Sequence, residues 1–168
     1  MFDAQALRMG DETALEDAID TLTPELYRYA VGILLSKADA EDAVQSAFIS
    51  LWKYRSSLRE SSAVRAYLYR CTYRASVDII RRNRRFLPLP SQRDADVLSD
   101  TMQHALSHLS AIERAIVYER AVIDTSYTEL AERLGIREDN VRKKYERAKK
   151  KLARILADAK KGDYHEAK

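Results

Sequence analysis

Residues 126–148 read SYTELAERLGIREDNVRKKYERA, and their pattern determines how the second half of the chain folds. Ser126 and Glu129 have the spacing of a capping box that opens a helix, and Ser110 and Glu113 have the same spacing at the start of the preceding helix. Gly135 stands where the end of that helix needs a positive φ. Val141 then begins the apolar stripe of a second helix. The stretch predicts a short helix, a tight turn and a longer basic helix, which together form a helix-turn-helix.

The outer face of the second helix is rich in hydrogen-bond donors. An amide near the start of a recognition helix pairs with adenine edges, and arginine or lysine pairs with guanine or phosphate. An amphipathic helix hairpin with a purely structural role gives part of the same pattern, so both interpretations stay open on these residues alone. The candidate DNA-contacting side chains are Arg137, Asn140, Lys143, Lys144 and Arg147.

Helical periodicity also dominates the remainder of the chain, and no segment shows convincing strand alternation. Thr23 and Pro24 are predicted to cap and open the second helix, after a short first helix. The fold class is therefore predicted to be all-α, with two small helical domains joined by a flexible linker. Helices are expected at about 14–22, 24–34, 38–54, 62–85, 100–109, 111–123, 127–134 and 138–157.

Prolines and a change of composition divide the chain. Pro88 and Pro90 end the fourth helix, because neither can lie in a helix interior, and the residues that follow are acidic and serine-rich. We therefore expect a first domain over 1–86, a linker over 87–101, a helix-turn-helix domain over 102–160 and a polar tail over 161–168.

Composition excludes several classes of protein. Four glycines and three prolines in 168 residues exclude collagen-like and low-complexity chains. The single cysteine, Cys71, excludes an intramolecular disulfide and a cysteine-rich zinc site, and its place on an apolar helix face predicts a core thiol. His104 and His108 lack a third ligand at matching spacing. We expect no catalytic residues, no metal, no cofactor and, with no signal peptide or membrane span, a cytoplasmic protein.

Two basic blocks alternate with acidic segments. Residues 65–93 carry eight arginines against one acid, and residues 137–161 carry eleven basic side chains against four acids, although the whole chain is only +3. The block over residues 65–93, with a single acid, is poorly explained by ordinary solvent-exposed helix faces. The distribution favours two separate contacts with a long polyanion.

Tyrosines are interleaved with arginines along the fourth helix. At 100° per residue, Tyr69, Arg70 and Tyr73 lie away from the face that carries Leu68 and Cys71. Exposed aromatic rings among arginines suit stacking on unpaired bases. The alternative is that the tyrosines are half-buried edges of the core.

The third helix is predicted to bury an apolar stripe, which comprises Ala43, Val44, Ala47, Phe48, Leu51 and Trp52. Its outer face is close to neutral and partly apolar. Such a face is a candidate protein-docking surface, although an ordinary solvated face explains it as well. The residues on this face are Asp42, Gln45, Ser46, Ile49 and Lys53.

Four stretches in the first half of the sequence are similar to a known family. Residues 26–30 read LYRYA, 39–52 read DAEDAVQSAFISLW, and 66–70 with 78–82 read AYLYR and DIIRR. They resemble the second conserved region of bacterial RNA polymerase sigma factors, in particular the small extracytoplasmic-function (ECF) group. Residues 109–156 resemble the fourth region of the same family.

The resemblance implies a division of roles. The third helix would dock on the clamp helices of the largest subunit of RNA polymerase core, through Asp39, Asp42, Gln45 and Ile49. The arginine-rich helix and the 55–63 loop would read and open the minus-ten element, and the last helix would read the minus-thirty-five element. Many family members are held inactive by an anti-sigma factor, which is therefore a candidate partner. The alternative is a free-standing helix-turn-helix transcriptional regulator. The minus-ten set is Tyr69, Arg70, Tyr73, Arg74, Arg81, Arg82, Arg84 and Arg85.

Overall fold

The computed structural model describes residues 2–58, 60–83 and 99–166, and the side chains of the last stretch as far as residue 159. All the regular structure in these ranges is helical, so the all-α prediction is confirmed. A single 3-10 turn, Arg55–Ser57, follows α3. The helices are α1 (Ala4–Met9), α2 (Glu12–Leu34), α3 (Lys37–Tyr54), α4 (Ser61–Asn83), α5 (Asp100–Ser107), α6 (Ala111–Ala121), α7 (Tyr127–Leu134) and α8 (Glu138–Glu166).

The chain divides into two compact units, Met1–Gln92 and Arg93–Lys168. Most of the predicted linker, residues 87–98, lies outside the described residues. The last two residues of that linker lie in α5, whose N-cap is Ser99. Within the described ranges, no helix combines the length and the apolar character needed to cross a bilayer.

One continuous helix, α2, replaces the two short helices predicted around Pro24. The prediction that Thr23 caps a new helix is wrong, because Pro24 lies inside α2. A proline in a helix interior costs about 3 kcal/mol. Leu22 and Leu26, on either side of it, are fully buried, and each such side chain contributes about 1.5–3 kcal/mol. Burial on both sides of the proline therefore outweighs its local cost.

The structure also contains a short helix that the periodicity did not predict. The Asp3 carboxylate accepts hydrogen bonds from the backbone N–H groups of Gln5 and Ala6 at the start of α1. Gly10 ends the helix at a φ of 93°. Six residues are too few for a periodic signal, so the two caps define this helix and Leu7 anchors it in the core.

The first unit is built on contacts among α2, α3 and α4. Small residues of α3, among them Ala40, Ala43 and Ala47, are almost fully buried. They let the neighbouring helices approach closely, and Leu51 and Leu68 fill the space between them. The stripe predicted for the third helix is confirmed, except that Trp52 is only half-buried.

The second unit contains the predicted helix-turn-helix. Both capping boxes, Ser110 with Glu113 and Ser126 with Glu129, are present. Gly135 adopts a φ of 67° at the end of α7, as predicted. The last helix extends beyond its predicted end, Ala157, as far as Glu166. The core of this unit comprises Ile116, Leu130 and Val141, surrounded by Ile112, Tyr127, Ala131, Leu134, Ile136 and Tyr145.

A buried ion pair joins α6 to α7. The Arg133 Nη1 atom lies 2.6 Å from the Glu119 Oε2 atom, and the side chains are only 15% and 1% exposed. A pair so far from water holds its two helices strongly only while both charges are present.

Candidate functional site

An open groove of about 710 Å³ lies between the first half of α2 and the outer face of α3. Leu15 and Ile19 of α2 face Phe48 and Trp52 of α3 across it. The sequence suggested only the α3 side of this surface. The i, i+4 spacing of Leu15 and Ile19 is the sequence signal for the other wall.

Three of the four predicted polymerase-binding residues line this groove. Asp42 and Gln45 are exposed along its edge, and the side chain of Ile49 is 52% exposed. Asp39 is not among the groove residues. Its Oδ2 atom accepts a hydrogen bond from the Asn83 side-chain nitrogen at 3.3 Å, so it joins the start of α3 to the end of α4.

The end of α3 is fixed by Arg55. Its guanidinium lies 4.0 Å from the centre of the Trp52 ring and donates a hydrogen bond of 2.5 Å to the Trp52 carbonyl oxygen. Gly10 lies against the same guanidinium, and a Cβ atom there would be 3.2 Å from the Arg55 Nη2 atom. This stacking holds Trp52 at the end of the groove.

A second groove, of about 480 Å³, lies between α3 and α4 and is more polar. Tyr54 and Tyr67 form a tilted ring pair 6.3 Å apart beside it. Burial raises the pKa of Tyr67 to about 12, so the phenol is neutral and hydrogen-bonding at physiological pH. Arg74 and Arg82 are exposed and line the same groove.

Cys71 lies in the wall of this second groove. It is half-buried rather than a full core residue, so the prediction of a core thiol was only partly right. Burial raises the pKa of its thiol. Because the thiolate is the reactive form, the side chain is a poor nucleophile.

Tyr69 is the clearest error among the predicted DNA-contacting residues. Its side chain is only 1% exposed, and its ring lies 4.9 Å from the Tyr29 ring in an edge-to-face arrangement. The buried face of α4 includes Thr72 and Ser76. The Ser76 hydroxyl donates to the Thr72 carbonyl oxygen at 2.8 Å, so it is satisfied within the core. The helix is therefore rotated relative to the predicted orientation.

The other predicted minus-ten residues differ in exposure. Arg70 and Tyr73 are half-buried, and the Arg70 guanidinium lies 5.2 Å from the centre of the Tyr67 ring. Arg81 is exposed and lies 3.5 Å from the Asp78 carboxylate. Arg84 and Arg85 lie outside the described residues. Arg74 and Arg82 are thus the predicted residues that the structure brings together at one groove.

This difference between Tyr69 and Arg74 gives a first prediction. Tyr69→Ala is expected to lower the free energy of unfolding of the first unit by about 3–5 kcal/mol, because it empties a well-packed site. Arg74→Ala removes an exposed charge and is expected to change that stability by less than about 0.5 kcal/mol. Urea unfolding followed by the fluorescence of Trp52, the single tryptophan, measures both. Equal stability of the two variants would contradict the buried position of Tyr69.

The predicted residues of the last helix lie at the start of α8. Arg137, Asn140, Lys143 and Arg147 are exposed, and Lys144 is half-buried. The structure therefore places Asn140, Lys143, Lys144 and Arg147 on the first three turns of α8, with Arg137 one residue before the helix. The sequence missed the neighbouring residues Thr128, Glu138 and Arg142, which bond to one another.

Carboxylates support the helix starts of the second unit electrostatically. Hydrogen bonds from Ser126 hold the pKa of Glu129 below its usual value. Hydrogen bonds from Arg142 and Thr128 do the same for Glu138. Burial acts against the ionised form of Glu113, but hydrogen bonds from Ser110 outweigh it and the net pKa is lowered. All three carboxylates are thus anions in the turns where a helix dipole favours negative charge.

Comparison with known proteins decides the family. The Sigma-70 region 2 family model matches residues 18–86, and the Sigma-70 region 4 model matches residues 99–152. The ECF RNA polymerase sigma factor SigM of Mycobacterium tuberculosis, in strains Erdman and H37Rv, is 30% identical over 155 residues, which cover 88% of this chain and 79% of the relative. The chain belongs to the ECF sigma factors.

Two solved structures share the fold of this sigma factor. RpoE of Bartonella quintana, in complex with the anti-sigma factor NepR, has a TM-score of 0.70 and 23% identity, covering 84% of this chain and 96% of that chain. CnrH, in complex with the cytosolic domain of CnrY, has a TM-score of 0.73 and 23% identity, covering 92% and 95%.

Family membership states the general role of the protein. The sigma factor binds RNA polymerase core and directs promoter recognition and transcription initiation. The alternative, a free-standing regulator, is not favoured, because the region 2 match covers the half of the chain that such a regulator does not need.

Proposed function

We propose that the first unit docks on the clamp helices of the largest polymerase subunit through the groove between α2 and α3. The observation that carries this proposal is the joint position of Asp42, Gln45 and Ile49 along one apolar groove. Protein interfaces combine such an apolar centre with a polar rim. The sigma factor would thus present its docking surface on the α3 face opposite the core.

The groove between α3 and α4 is the proposed site for the minus-ten element. Arg74 and Arg82 supply positive charge for phosphates, and the rings of Tyr54 and Tyr67 lie beside them. Tyr54 is 60% exposed and is thus available to stack on an unpaired base. Tyr69 is excluded from this role by its burial, and Tyr54 takes its place in the proposal.

The second unit is proposed to read the minus-thirty-five element with the first turns of α8. In a helix-turn-helix the N-terminal residues of the second helix contact base edges in the major groove. Asn140 and Lys143 lie in those turns with exposed side chains, and Arg147 follows one turn later. Arg137 stands just before the helix, and Lys144 is half-buried beside these residues.

The free energy needed to open duplex DNA favours a polymerase subunit over a protein that opens DNA by itself. Stacking in duplex DNA is worth about 1.4 kcal/mol per step, so opening several steps costs several kcal/mol. A base stacked on an aromatic ring returns about 1–3 kcal/mol. One or two tyrosines trap a flipped base but do not hold a bubble open. We therefore expect the polymerase to supply the remainder, and free sigma factor to bind promoter DNA poorly.

We infer that the protein acts without covalent chemistry and works where the polymerase is, in the cytoplasm. An anti-sigma factor is a further proposed partner. The structure of similar fold from Bartonella quintana holds the sigma factor RpoE in complex with the anti-sigma factor NepR, which supports this proposal. A regulator that covered the groove between α2 and α3 would compete directly with the polymerase.

The proposed role of α8 predicts the behaviour of the double variant Lys143→Ala with Arg147→Ala. Each lost phosphate contact should reduce the slope of log affinity against log salt by about 0.9. We expect holoenzyme carrying both changes to bind promoter duplex more weakly, with a slope lower by about 1.8. Filter binding at salt concentrations from about 50 to about 200 mM measures this slope. An unaltered slope would remove both residues from the interface.

A matched control is available on the same helix. Glu146 is exposed between Lys143 and Arg147. Glu146→Ala removes a charge of the opposite sign, so the salt slope should stay the same or rise. A fall in slope with this variant would show that any truncation in this part of α8 weakens binding.

A further inference from the structure

A polar cluster joins the first turn of α7 to the first turn of α8. The Nε and Nη2 atoms of Arg142 donate to one oxygen of Glu138, Oε1, at 3.1 and 2.6 Å. The other oxygen of Glu138, Oε2, accepts from the Thr128 hydroxyl at 2.9 Å. Both carboxylate oxygens are therefore engaged, one by each helix. We call Tyr127, Thr128, Glu138 and Arg142 the interhelical cluster.

The aromatic member of the cluster connects a third helix. The Tyr127 ring lies between two guanidinium groups, with the Arg142 Cζ atom 4.3 Å and the Arg120 Cζ atom 4.6 Å from its centre. Arg120 is itself held by a 2.6 Å hydrogen bond to the Thr125 carbonyl oxygen. Cations over a tyrosine face are attracted by the ring quadrupole. The ring thus links α6, the start of α7 and the recognition helix.

Arg142 differs from the basic residues beside it in the sequence. Lys143 and Arg147 are exposed on the outer face of α8. The Arg142 guanidinium, in contrast, is committed to a carboxylate on its own helix and to a ring on the preceding one. A guanidinium in that position faces the first turn of α7.

We infer that Arg142 is a positioning residue that sets the angle between α7 and α8, and that it is not a phosphate contact. This inference rests on the proposed role of α8 in reading DNA. The pair itself is about half exposed, at 54% and 38% of the two side chains, and exposed pairs contribute little to stability. Its effect should therefore show in specific binding, which depends on the direction of the recognition helix, rather than in unfolding.

Three variants test the inference in reconstituted holoenzyme, on a promoter duplex selected by the wild-type holoenzyme from a library randomised in its upstream element. Arg142→Met keeps the bulk of the side chain, Arg142→Lys keeps its charge, and Glu138→Gln removes the charge of its partner. We expect Arg142→Met to weaken specific binding about tenfold, which corresponds to about 1.4 kcal/mol, with the salt slope and non-specific affinity unchanged. Lys143→Met is the matched control and should lower the slope by about 0.9.

Arg142→Lys separates position from charge. A lysine retains a phosphate contact, so near-wild-type affinity with this variant would overturn the inference. A lysine does not reproduce two converging N–H donors and a planar stacked group, so we expect it to behave like Arg142→Met. In a chain that already carries Glu138→Gln, adding Arg142→Met should weaken specific binding by less than about a further threefold, because the effects of coupled residues are not additive.

The outcomes that overturn the inference differ from those that overturn the proposed function. A slope that falls by about 0.9 in Arg142→Met, with the same loss in both backgrounds, would make Arg142 a phosphate contact. Unchanged affinity and slope would leave it with no role in recognition. If the wild-type holoenzyme selected no sequence and Lys143→Met changed nothing, the role of α8 itself would fail.

Discussion

Glu119→Ala is expected to destabilise the second unit by about 3–5 kcal/mol. Glu119 lies in α6 and pairs with Arg133 of α7 at 2.6 Å, with both side chains almost removed from water. Removing the carboxylate leaves a largely buried guanidinium without this partner. A loss of this size is comparable to the whole stability of many small domains. Far-UV circular dichroism during urea unfolding measures it.

The fluorescence of Trp52 supplies the internal control. Trp52 is the single tryptophan and lies in the first unit, so its unfolding transition should stay at the same urea concentration. The double variant Glu119→Met with Arg133→Leu replaces the pair by apolar side chains and should regain most of the loss, as such replacements are often neutral or stabilising. If Glu119→Ala unfolded at the wild-type urea concentration, the buried pair would have no structural role.

Ile49→Asp is expected to weaken binding to polymerase core by about 30-fold or more. Replacing a central apolar residue of an interface weakens the binding free energy by about 2 kcal/mol or more. A tenfold change in the dissociation constant corresponds to about 1.4 kcal/mol. Ile49 is 52% exposed at the groove between α2 and α3, so the change should not disturb folding. Competition for core against the wild-type sigma factor measures the affinity. Asp42→Arg, at the polar edge, should have a smaller effect in the same direction.

Met9→Asp is the matched control for the docking surface. Met9 is the most exposed of the large apolar side chains described in the first unit, at 77%, and it is not a groove residue. The same chemical change there should leave the affinity for core within about twofold, because isolated surface substitutions have small effects. Equal losses in Ile49→Asp and Met9→Asp would assign the effect to surface charge and contradict the docking site.

Local signals in the sequence predicted the second unit well. The capping boxes at Ser110 and Ser126 and the turn at Gly135 depend on residues at most three or four positions apart. Such contacts are encoded by spacing alone. The same is true of the α3 stripe, where alanines alternate with larger apolar residues in a helical period.

Errors arose where tertiary contacts decided the outcome. The orientation of α4 depends on the burial of Thr72 and Ser76. The Ser76 hydroxyl bonds to the Thr72 carbonyl oxygen, whereas the Thr72 hydroxyl is buried with no hydrogen-bond partner among the described residues. Tyr69 is buried through its ring contact with Tyr29, forty positions earlier. Pro24 lies within α2 because buried leucines flank it. A prediction from periodicity places polar residues outside the core and prolines outside helices. It fails where packing against neighbouring helices accommodates such residues.

The functional surfaces differ in the same way: those on a single helix could be predicted, and those shared by several helices could not. The exposed edge of α3 and the start of α8 could be predicted, because each lies on one helix. The α2 wall of the docking groove, the replacement of Tyr69 by Tyr54 and the commitment of Arg142 to Glu138 and Tyr127 could not. Each of these depends on side chains from two or more helices.

Transcription start sites mapped with purified polymerase core on genomic DNA, with and without this sigma factor, show whether the chain selects promoters. We expect a set of start sites that appears only when the sigma factor is added, that shares two upstream sequence blocks, and that disappears with Ile49→Asp. Start sites that are the same in its presence and absence would contradict the central claim that the chain directs polymerase to promoters.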